Sequence, residues 1–140
     1  MDMEEHPLLY TVFSCVIPYI HDGDDRNSIS LVSRNLYELD CITRRQVTVH
    51  VRYLQNPSRL SQRFPYIESL TLIGLLPEMY SVSPWIKELA VSFRRLNALC
   101  IRDMHVDEED LDLLWDTRDE DLRVLTIQVG DVIQVWELDE

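Results

Sequence analysis

An internal repeat constrains this chain more than any other feature of its sequence. Three windows share the pattern L-x-x-L-x-L, with isoleucine accepted at leucine positions, and they begin at residues 67, 96 and 122. The windows are 29 and then 26 residues apart, which is typical of solenoid repeats. Helical patterns at 84–93 and 108–115 separate them. Each unit is therefore predicted to be a strand followed by a helix, which must stack on its neighbours to bury its apolar face.

The segment before the repeats has helical periodicity. One apolar face begins at Leu8 and continues to Ile20 with spacings of three and four, and Pro18 limits its regular end. A second apolar stripe runs through 25–42, as one bent helix or two short ones, and Asp24 or Asp25 is placed to cap it.

The period changes after Cys41. Apolar and polar residues alternate over 47–53, which predicts a half-buried strand. A short helical turn over 56–64 follows and ends at a proline. The predicted fold class is α+β or α/β, with a three-helix domain at 1–45, strand–helix units at 46–128 and a divergent apolar tail at 129–140.

Composition excludes several classes of function. The net charge of −12 lies mostly in the second half, which disfavours nucleic acid and anionic membranes as partners. The three glycines are too far apart for a phosphate-binding loop, and the three cysteines form no framework or metal motif. The longest uncharged run, 7–20, is too short to span a bilayer and lacks a basic start. A soluble chain in a reducing compartment is expected.

Two charged clusters have competing interpretations. The acidic run 107–110, with Asp112 and Asp116, could hold a metal, but carboxylates are also favoured at a helix start. No histidine has zinc-ligand spacing to a cysteine, so no metal site is predicted. Residues 41–67 contain no acidic residue and five arginines, of which Arg52, Arg59 and Arg63 are candidates for anion binding. Charge balance against the acidic half explains the same pattern.

The first domain resembles an F-box, in the stretch from Leu8 to Ile20 and in Ser30-Leu31-Val32-Ser33-Arg34. Further strings, Arg59-Leu60-Ser61, Arg63-Phe64-Pro65 and Ser69-Leu70-Thr71-Leu72, are similar to the plant coronatine-insensitive jasmonate receptors. The similarity covers about 8–127 and favours the jasmonate branch over the auxin branch. It implies a three-helix F-box followed by the first strand–helix units of a leucine-rich-repeat solenoid.

The resemblance implies a non-catalytic receptor subunit of a Skp–cullin–F-box ubiquitin ligase, acting in the nucleus, the cytoplasm or both. Its partners would be a Skp-family adaptor, through it a cullin, and a jasmonate-pathway repressor. The F-box face is also too apolar for a three-helix module to hide entirely. The residues expected to meet the adaptor are Leu8, Leu9, Val12, Val16, Ile17, Ile20, Leu31, Val32 and Leu36.

The sequence departs from the family after the first repeat strand. Family members have a long basic loop there that helps to line a hormone and inositol-phosphate pocket, whereas Gly74 leads almost directly to Pro84 in this chain. No cofactor is therefore expected. The pattern also ends near Val129, so the alternative is a non-functional or competing F-box fragment, from a gene remnant or an incomplete gene model, with no ligase role. No sequence feature favours an enzyme.

Overall fold

The computed structural model describes residues 7–118 and 121–137, with residues 7–10 described by their backbone alone. The chain divides into two compact units between Arg45 and Gln46. No helix in the described ranges is both long enough and apolar enough to cross a membrane.

Over residues 7–45, the first unit consists of three helices and one short turn of 3₁₀-helix. Helix α1 spans Pro7–Val16 and runs into the turn at Ile17–Tyr19, where Pro18 prevents a regular continuation. Helix α2 spans Gly23–Ser30 and α3 spans Arg34–Thr43. The second apolar stripe is thus two short helices rather than one bent helix.

Side-chain caps fix where α2 and α3 begin. Asp22 accepts a hydrogen bond from the Asp25 N–H at 2.9 Å, so Asp22 is the cap, and the prediction of Asp24 or Asp25 was wrong by two or three residues. Ser33 accepts from the Leu36 N–H at 3.2 Å and starts α3. Each cap satisfies an N–H that has no partner within its own helix.

The apolar core of the first unit is small. Ile17, Leu36 and Leu39 are buried, and Phe13 and Ile29 pack against them while partly exposed. The core therefore joins α3 to the 3₁₀ turn and leaves much of the apolar surface of α1 uncovered.

The second unit is built on one five-stranded sheet in the order β1-β2-β3-β4-β5. The first four strands are Gln46–His50, Ser69–Ile73, Ala98–Arg102 and Val124–Val129, and they pair in parallel. Strand β5, Val132–Glu137, pairs antiparallel with β4.

The parallel strands align in register, so equivalent side chains form ladders across the sheet. Leu70, Leu99 and Leu125 are register partners, and all three are essentially inaccessible to solvent. A second ladder on the same face contains Val49, Leu72, Ile101 and Ile127. The opposite face has Thr48, Thr71, Cys100 and Thr126 in register, and all of these are at least partly exposed.

Three helices connect the parallel strands: α4 (Pro57–Arg63), α5 (Ser83–Leu89) and α6 (Glu108–Arg118). Asn56 caps α4 by accepting from the Ser58 N–H, and Pro57 lies in its first turn, where a missing N–H costs nothing. Helix α5 packs against both α4 and α6. The unit is therefore the strand–helix solenoid that the repeat predicts.

Two strands extend the sheet beyond the three repeat windows. Strand β1 is the first member of the parallel ladder, and its start precedes that of β2 by 23 residues. Strand β5 lies within 129–140, the predicted divergent tail. Gly130 takes a left-handed conformation (φ 57°) there and reverses the chain, so that β5 pairs with β4. The parallel ladder thus has four strands, and β5 occupies the free edge of β4.

Candidate functional site

The first unit exposes seven large apolar side chains within residues 11–45, and the described part of the second unit, which is more than twice as long, exposes ten. Val12 and Val16 on α1 are 55% and 48% exposed, and Leu31 and Val32 after α2 are 86% and 60% exposed. These four residues were among those predicted to meet an adaptor. Leaving such side chains in water is unfavourable at roughly 25 cal/mol per Å², so a partner that covers them gains binding free energy.

The backbone holds these four side chains in defined positions. Val12 and Val16 are one helical turn apart and line the same face of α1. Leu31 and Val32 lie in the turn between α2 and α3, where their N–H groups donate to the Ser28 and Ile29 carbonyls. The surface is therefore presented by hydrogen-bonded elements.

Two of the predicted adaptor contacts lie in the interior instead. Ile17 and Leu36 are 1% and 3% exposed and form the core with Leu39, and their contact with an adaptor stays a prediction. Ile20 is half-buried. The side chains of Leu8 and Leu9 lie outside the described residues, and their predicted contacts stay predictions.

A buried polar network, which sequence reasoning missed, fixes the geometry of the first unit. The Arg26 guanidinium is almost fully buried and donates to Asp40 Oδ1 at 2.8 Å, to the Ile17 carbonyl at 2.6 Å and to Thr43 Oγ1 at 2.7 Å. Arg44 donates to both carboxylate oxygens of Asp40, at 2.9 and 2.8 Å. The Arg26 guanidinium thus joins α2 to α3 and to the 3₁₀ turn, and the Asp40 carboxylate holds Arg26 and Arg44 together.

The three arginines predicted to bind an anion are not seen to share a partner within the described residues. The Arg52 guanidinium lies 4.5 Å from the Tyr53 ring centre, and that of Arg63 lies 4.6 Å from the Phe64 ring centre. Arg59 is exposed on α4. No contact seen within the described ranges brings the three guanidinium groups to one ligand position, and anion binding there remains a prediction.

The segment after β2 does not fit an inositol phosphate. No lysine or arginine lies between Gly74 and Ser83, and such a ligand needs several cations. A Cβ at Gly74 would lie 2.2 Å from the Asp103 carbonyl oxygen, and the Gly74 N–H donates to the Arg102 carbonyl. The segment therefore packs tightly against the end of β3 and offers no basic loop.

Part of the acidic run 107–110 has a structural role. Asp110 is buried; one of its oxygens accepts from Ser83 Oγ at 2.7 Å, and the other accepts from the Asp107 N–H at 3.0 Å. Across residues 7–118 and 121–137, no group of three or more His, Cys, Asp or Glu side chains is arranged to hold a metal ion. The Asp110 carboxylate thus joins the starts of α5 and α6.

Comparison with known proteins identifies the first unit. The F-box family model matches residues 7–46. The chain is 42% identical over 109 residues to "Coronatine-insensitive protein homolog 2" of Oryza sativa subsp. indica, covering 71% of this chain and 18% of that protein. It is 39% identical over 126 residues to "Coronatine-insensitive protein 1" of Arabidopsis thaliana, covering 83% and 21%.

A third relative lies further away in sequence. "GRR1-like protein 1" of Arabidopsis thaliana is 32% identical over 111 residues, covering 72% of this chain and 19% of that protein. The chain thus spans about a fifth of the length of each of these relatives. The F-box match and the higher identity to the coronatine-insensitive proteins agree with the resemblance seen in the sequence. The chain is an F-box protein and a relative of the coronatine-insensitive proteins.

Proposed function

We propose that this chain is a non-catalytic receptor subunit that binds a Skp-family adaptor through its F-box and so joins a cullin ubiquitin ligase. The single observation that carries this proposal is the exposure of Val12, Val16, Leu31 and Val32 within a domain that matches the F-box model. These residues are apolar, fixed by hydrogen-bonded backbone and left uncovered.

The polar network explains how an F-box can keep such a surface in water. Arg26, Asp40 and Arg44 join α2 to α3 through charge-assisted hydrogen bonds, which fix the arrangement of these helices. An adaptor that covers the exposed apolar side chains then gains binding free energy. Because binding selects the folded state, the adaptor is expected to stabilise the unit.

We further propose that the second unit presents a target protein to the ligase, in the nucleus or cytoplasm. The relatives' names connect them with coronatine insensitivity, which makes a jasmonate-pathway repressor the proposed target. The segment after Gly74 lacks basic residues, and this favours a target that binds without the family's hormone and inositol-phosphate pocket.

A competing subunit is the second candidate function. It rests on the same short segment after Gly74 and on β5, which occupies the edge of β4 that a further parallel strand would use. A chain that binds the adaptor without presenting the family's target would lower the amount of adaptor available to full receptors.

Adaptor binding is tested by titrating the full chain with a purified plant Skp-family adaptor. The test variant is Val16→Asp/Leu31→Asp, which places carboxylates on two exposed positions of the first unit. The matched control is Val91→Asp/Leu75→Asp, since these residues are equally exposed in the second unit. The proposal expects binding by wild type and control and at least about tenfold weaker binding by the test variant. Equal binding by all three, or binding by none, would overturn it.

The two candidate functions are separated by reconstituting the ligase with a coronatine-insensitive receptor and its ubiquitination target. A competitor lowers target ubiquitination in proportion to added chain, and Val16→Asp/Leu31→Asp abolishes the effect. A receptor subunit instead supports ubiquitination of a target of its own when the other receptor is omitted.

A further inference from the structure

A groove in the second unit lies next to the N-terminal ends of strands β2 and β3. It has a volume of about 570 Å³ and lies between the turn that leads from α4 to β2 and the loop that leads from α5 to β3. Pro65 and Tyr66 form one wall, and Val91, Ser92, Arg94 and Arg95 lie on the other. We call it the arginine groove. The groove contains none of the proposed adaptor-binding residues Val12, Val16, Leu31 and Val32, which we call the adaptor surface.

The groove is positively charged in a chain that is strongly acidic overall. Arg94 and Arg95 are exposed, and across the part of the chain that the structure describes neither forms an ion pair with a carboxylate. The wall at Pro65 and Tyr66 belongs to the segment 41–67, which contains no acidic residue. An anionic group that enters the groove therefore meets two guanidinium groups that are available for hydrogen bonding.

The groove is also apolar along part of its lining. Val91 is 78% exposed and Tyr66 is 39% exposed. The Arg95 guanidinium lies 4.6 Å from the Tyr66 ring centre, which holds its charge against an aromatic face. A ligand that fits this lining carries apolar side chains beside its anionic groups, because a bare anion leaves Val91 and Tyr66 in water.

Buried hydrogen bonds make the loop that carries both arginines rigid. Arg118 reaches it from α6 and donates to the carbonyls of Leu89, at 2.7 Å, and Phe93, at 2.9 Å, and also to that of Ser92. Phe93 is buried in a left-handed conformation (φ 58°), which is strained for a residue with a side chain. The loop thus holds its shape before a ligand arrives, which lowers the entropic cost of binding.

The two walls are joined to each other as well. Glu88 Oε1 accepts a hydrogen bond from Ser61 Oγ of α4 at 2.7 Å and from Ser92 Oγ of the loop at 3.0 Å. The Glu88 carboxylate is half-buried, and these two hydroxyl groups from the groove lining partly satisfy its charge. The width of the groove is therefore set by the fold.

We propose that the arginine groove binds an acidic peptide segment of a partner protein, with an apolar side chain against Tyr66 and Val91 and carboxylates on Arg94 and Arg95. Charge complementarity carries the choice of partner, since an unpaired arginine pair beside an acidic-free segment attracts anionic chains and repels basic ones. The site is independent of the adaptor surface, so its test does not depend on adaptor binding.

The probe is a fluorescein-labelled peptide of alternating glutamate and leucine, titrated with the full chain at low salt. A second probe has lysine in place of each glutamate. The test variant is Arg94→Glu/Arg95→Glu, and Arg34→Glu/Lys87→Glu is the control with the same change of net charge at exposed positions outside the groove. Circular dichroism verifies that both variants are folded.

Binding of the acidic peptide by wild type and control, at least about tenfold weaker binding by the test variant and none of the lysine peptide would support the proposal. Binding should also weaken with added salt. The proposal is overturned if wild type does not bind the acidic peptide, if both variants lose binding equally, or if inorganic phosphate displaces the peptide at an equal concentration, since that result indicates a simple anion site.

Discussion

The two units of this chain bury their apolar side chains to very different extents. In the described part of the first unit, three apolar residues are buried, whereas the described part of the second unit buries twenty, although that unit is only about twice as long. Polar side chains show the opposite tendency, since the first unit buries Arg26, Ser30 and Asp40 and the larger second unit buries Asp110 and Arg118.

The two units therefore differ in how much of their stability an apolar core can supply. The ladders of the second unit repeat the same buried contact from strand to strand, so its stability comes from its own core. The first unit has a small apolar core and a buried polar network, and it leaves several large apolar side chains exposed to water. We infer that its missing burial is supplied by the adaptor.

The largest effect is expected from a substitution that disrupts the buried polar network of Arg26, Asp40 and Arg44. Asp40→Ala leaves the buried Arg26 guanidinium without its carboxylate, and we expect the free energy of unfolding of the first unit to fall by about 4 kcal/mol. All three tryptophans lie in the second unit. Urea unfolding should therefore show early loss of helical circular dichroism with an unchanged tryptophan transition.

The matched control for this change is Glu38→Ala. Glu38 pairs with Arg34 at 3.4 Å, but both side chains are mostly exposed, so the change should be below about 0.5 kcal/mol. If the two substitutions have equal effects, the buried network does not hold the first unit together.

The next effect concerns the ladders of the second unit. Leu99→Ala removes a fully buried side chain from the middle of a ladder and should lower the free energy of unfolding by about 3 kcal/mol, because the cavity cannot collapse fully. The tryptophan transition measures it. Cys100→Ala, at the next position on the partly exposed face, should cost less than about 1 kcal/mol; a similar cost for both would contradict the ladder account.

Arg118→Met should have an intermediate effect. The change removes the donor that satisfies the carbonyls of Leu89, Ser92 and Phe93, and we expect a loss of about 2 kcal/mol in the same transition. Arg102→Met, at an exposed position on β3, is the control and should change it by less than about 0.5 kcal/mol. A loss no larger than the control's would mean that the α5–β3 loop does not need this arginine.

The last comparison concerns two glycines for which effects of opposite sign are expected. Gly74→Ala should cost about 2 kcal/mol, because the new Cβ would lie 2.2 Å from the backbone carbonyl oxygen of Asp103 and would force the backbone to move. Gly23→Ala has open space and lies in a helix, so it should stabilise the first unit by about 0.5 kcal/mol. Thermal unfolding followed separately for the two units measures both changes, and no loss of stability in Gly74→Ala would contradict the tight packing after β2.

The repeat unit could be predicted from the sequence because its signal is redundant. The L-x-x-L-x-L windows place Leu70, Leu99 and Leu125 at equivalent positions, and the structure aligns them in register. The apolar run after Val129 carries no such template. Its pairing with β4 depends on the reversal at Gly130, so β5 was not anticipated.

The candidate site could be predicted only in part. Val16 and Ile17 are adjacent on an apolar face, yet one is exposed and the other is buried. Helical periodicity identifies apolar positions but does not tell which of them other helices cover. Arg26 was missed because arginine is usually exposed, and its burial depends on Asp40, fourteen residues away.

The most direct test of this account is hydrogen exchange of the full chain with and without a plant Skp-family adaptor. The account predicts that amides of α1 and of the turn at Leu31 and Val32 become more protected with the adaptor, while the ladder strands β2 and β3 are well protected in both states. Unchanged exchange in the first unit at saturating adaptor, or protection gained only in the second unit, would contradict it.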